Sequence, residues 1–191
     1  MDNDSPPLAR VLEEELIENL FLSRFLYPVY VRSLDLAGHE HVLEYMSGGG
    51  LMSRAIGRIL APEGSLTCVD TSRYWVGKAQ RRLARCPNVT SLCGDITAMD
   101  LAENHFDTAI VRFALHKTDV RKRIDVVSAL ARLLRPEGTL HIREPGGTGS
   151  GVPLPEIRTL MRDAGLREVH AGCTALYFSG PVCTGVYVKS W

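Results

Sequence analysis

The chain has 191 residues, a length that fits one domain with a full hydrophobic core. Its hydrophobic content of 45% and charged content of 23% are ordinary for a globular protein. The 22 Lys and Arg residues balance the 22 Asp and Glu residues, so no basic excess indicates a nucleic-acid partner.

The cysteines point to a reducing compartment. They are odd in number and form no Cys-x-x-Cys pair: Cys68, Cys86, Cys93, Cys173 and Cys183. This pattern argues against a zinc site and against a disulfide framework. Cys68 and Cys93 lie in strand-like runs, so we expect both to be buried. No signal peptide opens the chain and no apolar run reaches the ~18 residues of a membrane span, so we expect a cytoplasmic protein without stable membrane association.

The first 35 residues predict a helical cap. From residue 8 the apolar positions recur with helical spacing, and Pro28 interrupts the pattern, which predicts two helical pieces. Their aromatic and aliphatic residues form either core or an apolar acceptor pocket, namely Phe21, Phe25, Leu26, Tyr27 and Tyr30.

After Gly38, strand-like and helical patterns alternate. Strands are predicted at 41–45, 66–70, 89–93, 106–113 and 139–143, and helices at 51–60, 74–86, 121–134 and 154–164. Two consecutive strands follow, at 166–171 and 180–191, with a Gly-Pro turn between them. The whole predicts an α/β fold: a doubly wound, mostly parallel, Rossmann-like sheet of seven strands with an antiparallel C-terminal addition.

Chemistry-bearing residues follow the strands of this sheet. In such folds ligands bind at the carboxyl ends of the strands. Acids lie at the ends of four of the five predicted parallel strands, the first, second, third and fifth: Glu44, Asp70, Asp95 and Glu144. A carboxylate at Asp70 suits the hydroxyls of a ribose, and one at Asp95 can accept from the adenine amine.

These segments resemble the class I S-adenosylmethionine-dependent methyltransferases over residues 36–191. The resemblance rests on the aliphatic pair, acid and glycine loop of residues 42–50, on Asp70 and Asp95, and on the segments 111–116 and 133–140. It implies S-adenosyl-L-methionine as the cofactor, in a methyltransferase domain that follows the 1–35 cap. The cofactor-binding residues implied are Glu44, Tyr45, Met46, Ser47, Gly48, Gly50, Asp70, Thr71, Gly94, Asp95, Ile96, Arg112 and Phe113.

Two residues depart from the family pattern. Met46 replaces the first glycine of the motif, so the backbone there must avoid positive φ or carry strain. Arg112 places a cation where it would repel a sulfonium, unless its guanidinium faces an acid or an anionic substrate.

The candidate catalytic residues are His116 and Glu144. Methyl transfer from a sulfonium needs a general base only when the acceptor nucleophile carries a proton, and His116 is the best-placed imidazole. The alternative for His116 is a structural bond to the backbone. Glu144 is an alternative base or an amine binder, and His141 is expected to pack in the core.

The leading hypothesis is therefore a methyltransferase that acts on a small molecule by in-line transfer, with no metal site. Two alternatives stay open: a catalytically degenerate binding protein of the same fold, and a nicotinamide-dependent oxidoreductase, because Gly48, Gly50 and Ser53 loosely imitate the dinucleotide fingerprint. The expected partner is a small methyl acceptor rather than nucleic acid or a membrane; whether the chain forms a homodimer is left open.

Overall fold

The computed structural model describes residues 27–147, 149, 151–176 and 180–190. The helices are α1 Tyr27–Arg32, α2 Leu51–Gly57, α3 Arg73–Leu83, α4 Arg123–Leu133 and α5 Leu154–Asp163, and short 3-10 turns lie at Leu115–Lys117 and Val120–Lys122. The strands are β1 His41–Tyr45, β2 Ser65–Asp70, β3 Val89–Cys93, β4 Phe106–Arg112, β5 Leu134–Pro145, β6 Leu166–Leu176 and β7 Gly180–Lys189. The first predicted helical piece, with Phe21, Phe25 and Leu26, lies outside the described residues.

The strands form one seven-stranded sheet in the order β3-β2-β1-β4-β5-β7-β6. Parallel pairing is seen between β2 and β3, between β1 and β4, and between β4 and β5. Strand β7 pairs antiparallel with both β5 and β6. The predicted fold class, including the antiparallel C-terminal addition, is confirmed.

The centre of the sheet is apolar because its parallel strands are covered on both faces. In β1, Val42 and Leu43 have no exposed surface, and the same holds for Ala109, Ile110 and Val111 in β4. The register that pairs Val42 with Thr108 and Leu43 with Ala109 brings the carboxyl ends of β1 and β4 together. This alignment positions the residues that follow both strands.

Several element boundaries differ from those predicted. Helix α2 ends at Gly57 rather than at residue 60, and β5 begins at Leu134 rather than at residue 139 and runs to Pro145. The predicted Gly-Pro turn is wrong, because Gly180 and Pro181 are the first residues of β7. The reason is pairing: β6 and β7 stay in register from Leu166 opposite Lys189 to Leu176 opposite Gly180.

The structure contradicts two predictions made for the cysteines. Cys173 and Cys183 form a disulfide, although the count and spacing of the cysteines argued against one. They face each other across β6 and β7 with their Cα atoms 4.0 Å apart, a proximity that only the strand register creates. Cys93 is exposed rather than buried, because it ends a strand whose side chains are only partly covered, whereas Cys68 is buried as expected.

The described residues divide into two compact units. Residues 27–40 and 47–94 belong to the first unit, and residues 41–46 and 95–190 belong to the second. Within the described ranges, no helix is both long and apolar enough to cross a membrane.

Two non-glycine residues at strand ends adopt left-handed backbone conformations. Met46, which follows β1, has φ 55°, and Phe113, which follows β4, has φ 51°. A side chain with a Cβ atom is strained in this region by about 1–2 kcal/mol. Of the two outcomes expected for Met46, the structure shows positive φ, and it adds Phe113 as a second such position.

His141 is a half-buried residue of β5. Its Nε2 atom lies 3.4 Å from Thr139 Oγ1. Burial, with a smaller contribution from the charge of His170, lowers the pKa of His141 to about 4. The expectation that His141 packs in the core holds only in part, because its side chain is half-buried, and its imidazole is neutral at pH 7.

We expect glycine to be better than alanine at position 46. Met46→Gly removes the Cβ strain, whereas Met46→Ala keeps it, so the glycine variant should have a higher free energy of unfolding than the alanine variant by about 1 kcal/mol. Urea denaturation of both variants measures the difference. An alanine variant as stable as the glycine variant would show that the backbone at Met46 is not strained.

The lowered pKa of His141 predicts a pH-dependent loss of stability. The unfolded histidine titrates near 6.5 and the folded one near 4, so between these values the unfolded state binds more protons. Stability should therefore fall as the pH falls from 6.5 to 4, by up to about 3 kcal/mol from this residue. Urea denaturation from pH 7 to pH 4 should show a shallower fall for His141→Gln than for the wild type; parallel curves would contradict the prediction.

Candidate functional site

The glycine loop of the first unit is a tight turn held by its own backbone. Ser47 N donates to Val69 O over 3.2 Å, and Gly50 N donates to Ser47 O over 3.2 Å. Gly48 has φ 55° and Gly50 has φ 75°, which are conformations that glycine adopts without strain.

The two glycines serve different purposes. A Cβ atom at Gly50 would lie 3.1 Å from Ala79 Cβ and from Leu83 Cδ1, so this glycine lets the loop pack closely on α3. A Cβ atom at Gly48 would meet nothing within 4 Å. The backbone at Gly48 therefore faces open space, and a ligand could approach it there.

Asp70 fixes the shape of this loop. It ends β2 and is 2% exposed. Its Oδ2 atom accepts from Gly48 N and its Oδ1 atom accepts from Ser72 N, each over 2.9 Å. The backbone carbonyl of Asp70 also accepts from Gly94 N over 3.1 Å. A carboxylate oxygen has more than one lone pair, so it can accept more than one hydrogen bond.

Asp95, in the second unit, occupies a different setting. It is exposed, and its Oδ1 atom accepts from Thr97 N over 3.0 Å and from Thr97 Oγ1 over 2.8 Å. These two bonds lower the pKa of Asp95. The next residue, Ile96, is fully buried. In this structure Asp95 caps a turn, and its role toward adenine stays a prediction.

The carboxylate of Glu144, also in the second unit, is fully buried. Its Oε1 atom accepts from Ala114 N over 2.7 Å and from Leu115 N over 2.9 Å. Its Oε2 atom lies 3.3 Å from His116 N and 2.8 Å from His116 Nδ1. We call this pair the Glu144–His116 dyad.

The donors around Glu144 determine the tautomer of His116. An ionised carboxylate only accepts hydrogen bonds, so Nδ1 carries the proton that it donates. Nε2 is then the acceptor atom of the neutral ring, and the His116 side chain is 20% exposed. The dyad therefore presents an imidazole lone pair that can receive a proton.

Arg123 donates hydrogen bonds to backbone carbonyl groups of the turn that contains His116. It is 5% exposed, and its Nε atom donates to Leu115 O over 3.0 Å and to Thr118 O over 3.4 Å. Its Nη1 atom lies 2.7 Å from Glu156 Oε1. Sequence reasoning missed Arg123 and Glu156, because neither stands at a strand end or in a recognisable motif.

Arg112 and Phe113 lie beside the dyad. The guanidinium carbon of Arg112 is 4.5 Å from the centre of the Phe113 ring, and that ring lies 6.5 Å from the imidazole of His116 in an edge-on arrangement. The cation of Arg112 is thus stacked on an aromatic face, which stabilises it.

The structure gathers part of the predicted site in each unit. In the first unit, hydrogen bonds connect Ser47, Gly48, Gly50, Asp70 and Gly94, and Thr71 is exposed next to Asp70. In the second unit, Arg112, Phe113, His116 and Glu144 form one cluster. Glu44 and Tyr45 are buried at the end of β1, and Met46 follows them.

Comparison with known proteins agrees with this architecture. The family model of the methyltransferase domain matches residues 42–138, about half of the chain. The chain is 25% identical over 118 residues to a ubiquinone/menaquinone biosynthesis C-methyltransferase, UbiE, from Stutzerimonas stutzeri, which covers 59% of this chain and 45% of that protein. The chain spans less than half the length of the curated relatives it matches first.

Solved structures share the fold. The N-methyltransferase NodS from Bradyrhizobium japonicum, in complex with S-adenosyl-L-homocysteine, matches with a TM-score of 0.74 and 19% identity over 94% of this chain and 97% of that one. The 1,6-didemethyltoxoflavin-N1-methyltransferase from Burkholderia thailandensis, with its substrate and S-adenosylhomocysteine bound, matches with a TM-score of 0.74 and 16% identity over 96% and 87% of the two chains.

These findings favour methyl transfer over the nicotinamide-dependent alternative. They confirm the resemblance and the predicted fold. The chain belongs to the methyltransferase domain family and has the class I S-adenosylmethionine-dependent methyltransferase fold.

Proposed function

We propose that this chain uses S-adenosyl-L-methionine to methylate a small molecule whose nucleophile carries a proton. The observation that carries the proposal is the Glu144–His116 dyad, a buried carboxylate that fixes one nitrogen of an imidazole and leaves the other able to accept a proton. A transferase whose acceptor is already deprotonated has no need of such a base.

The glycine loop and Asp70 fit the cofactor. Gly48 offers backbone next to open space, and the carboxylate of Asp70 can accept from ribose hydroxyls while it holds the loop. Such bonds are charge-assisted and are therefore stronger than neutral ones. The remaining cofactor-binding residues implied by the resemblance stay predictions.

The bound cofactor supplies a methyl group that is activated by a positively charged sulfur. The chain's own residues then position the acceptor and remove its proton. His116 Nε2 receives that proton, and Glu144, which is bonded to Nδ1, stabilises the imidazolium that forms. Glu144 is better suited to this positioning role than to acting as a base or amine binder, because backbone N–H groups occupy both of its oxygens.

A small acceptor is supported by one neighbour. The structure from Burkholderia thailandensis contains 1,6-didemethyltoxoflavin, a small molecule, on a chain of the same fold. The buried residue Tyr27 and the half-buried Tyr30 in α1 are the described members of the predicted apolar cap. We therefore propose a small molecule as the acceptor.

Replacement of Asp70 should weaken cofactor binding. Asp70→Ala removes the acceptor for ribose hydroxyls and the bond to Gly48 N, so we expect the affinity for S-adenosylhomocysteine to fall about 10- to 100-fold. Isothermal titration measures the change. Asp163→Ala, at an exposed acid outside the site, is the matched control, and equal affinities of the Asp70→Ala variant and this control would remove Asp70 from the site.

Replacement of His116 should slow methyl transfer without changing cofactor affinity. His116→Asn keeps an N–H donor for Glu144 but has no nitrogen in place of Nε2, so we expect kcat to fall about 10²- to 10⁴-fold. The assay measures S-adenosylhomocysteine release with a panel of catechol, phenol, thiol and amine acceptors.

One control variant accompanies this measurement. Arg121→Ala, at an exposed residue outside the dyad, should keep the wild-type rate. An unchanged rate in His116→Asn would contradict a role as base. Absence of transfer to every acceptor, together with tight binding of S-adenosylhomocysteine, would favour the degenerate binding protein.

A further inference from the structure

The charges of this chain are strongly segregated. The whole sequence has no net charge, yet residues 47–94 contain seven Lys and Arg residues and only two acids, Glu63 and Asp70. Asp70 is buried, so it adds little to the surface charge. The surface formed by residues 47–94 therefore carries an excess of positive charge.

Five of these cations surround one pocket. It has a volume of about 620 Å³, and its charged lining comes from Arg54 in α2 and from Lys78, Arg81, Arg82 and Arg85 in or just after α3. Tyr74 adds an aromatic ring to the wall. No acidic residue of the described part of the chain lines it. We call it the cationic pocket.

Part of the cationic pocket is fixed in place. Arg82 Nη1 donates to Gly49 O, and Lys78 Nζ lies 5.2 Å from the centre of the Trp75 ring. A Cβ atom at Gly49 would be 3.0 Å from Arg82 Nη1 and 3.3 Å from Lys78 Cδ, so both side chains lie directly against the glycine loop.

The other three cations are available to a ligand. Arg54, Arg81 and Arg85 are exposed, and none forms an ion pair with a carboxylate in the described residues. Positive side chains that lie close together with no acid between them repel one another. A bound anion with several charges reduces this repulsion. Guanidinium groups also match the geometry of phosphate oxygens.

The volume of the cationic pocket suits a small ligand. Pockets of about 300–1,000 Å³ hold small molecules and cofactors. Five positive side chains match an anion with several adjacent phosphates, and the ring of Tyr74 could stack on a base. Because the chain as a whole has zero net charge, we expect no general attraction to an extended nucleic acid beyond the pocket itself.

We propose that the cationic pocket binds a small polyphosphate of the nucleoside triphosphate class. The site is built from Arg54, Lys78, Arg81, Arg82 and Arg85 and does not use the Asp70 carboxylate. The anion contacts side chains that lie against the glycine loop, so its binding site adjoins the loop without being part of the proposed transfer chemistry.

Isothermal titration of the full chain with inorganic tripolyphosphate and with ATP tests this proposal. Saturating S-adenosylhomocysteine is present throughout, so that the adenosine of ATP cannot bind at the cofactor site. We expect both anions to bind, with ATP the tighter of the two. If neither tripolyphosphate nor ATP binds at low salt, the proposal is overturned.

Variants localise the site. Arg81→Ala with Arg85→Ala should weaken binding of both anions at least about tenfold, because two charge-assisted contacts are lost. Arg81→Lys with Arg85→Lys should recover most of the affinity. The matched control, Arg121→Ala with Arg167→Ala, removes two exposed arginines elsewhere and should leave binding unchanged. An equal loss in the control pair would overturn the proposal.

A nucleic-acid ligand is distinguished in the same experiment. A 12-nucleotide oligouridine should bind no more tightly than ATP if the pocket is a small-molecule site. Binding at least tenfold tighter than ATP, lost in the Arg81 and Arg85 alanine variant, would instead assign this surface to RNA and overturn the small-ligand proposal. Thermal unfolding of every variant checks that a lost signal does not come from a lost fold.

Discussion

The buried carboxylate of Glu144 is the interaction on which the second unit's chemistry depends. A buried charge without partners is very costly, so a carboxylate with no exposed surface must be surrounded by donors. Three consecutive backbone N–H groups, from Ala114 to His116, supply them together with His116 Nδ1. The chain reaches this geometry by turning sharply after β4, which places Phe113 in the left-handed region. Strain at Phe113 is thus the local cost of aiming three N–H groups at one carboxylate.

Asp70 uses the same device in the first unit. It too ends a parallel strand, is buried, and accepts backbone N–H groups, one from Gly48 in the glycine loop and one from Ser72 two residues after it. In both cases hydrogen bonds to the acid hold the backbone of a loop, and that loop lies at the proposed ligand or catalytic site. An acid at a strand end can therefore have a structural and a functional role together. It stabilises the loop that forms the candidate site.

The sequence predicted the elements whose signal is local. Strands β1 and β3 begin and end at the predicted residues, because their apolar runs are bounded by loop-forming residues. The Cys173–Cys183 disulfide and the full length of β6 and β7 depend on register between strands, which no single segment encodes.

In the candidate site, too, the sequence identifies individual residues but not the contacts between residues that are far apart in the chain. His116 and Glu144 were identified because each follows a strand, but their bond joins residues 28 positions apart and could not be inferred from spacing. Arg123 with Glu156 and Arg82 with Gly49 are likewise contacts between distant residues of ordinary composition. Periodicity predicts which face of an element is buried, whereas the partner of a polar group follows only from the tertiary fold.

Net charge illustrates the same point at a larger scale. A balanced total predicts no general attraction to polyanions, but a total says nothing about how the charges are distributed. Here seven cations against two acids in residues 47–94 are offset by an acidic excess elsewhere in the chain. Because screening limits electrostatic interaction to about 8–10 Å at moderate salt, an acid neutralises the cationic pocket only if it lies within that distance. Its charge must therefore be treated as a local property, and it lies directly beside the loop that the cofactor is proposed to use.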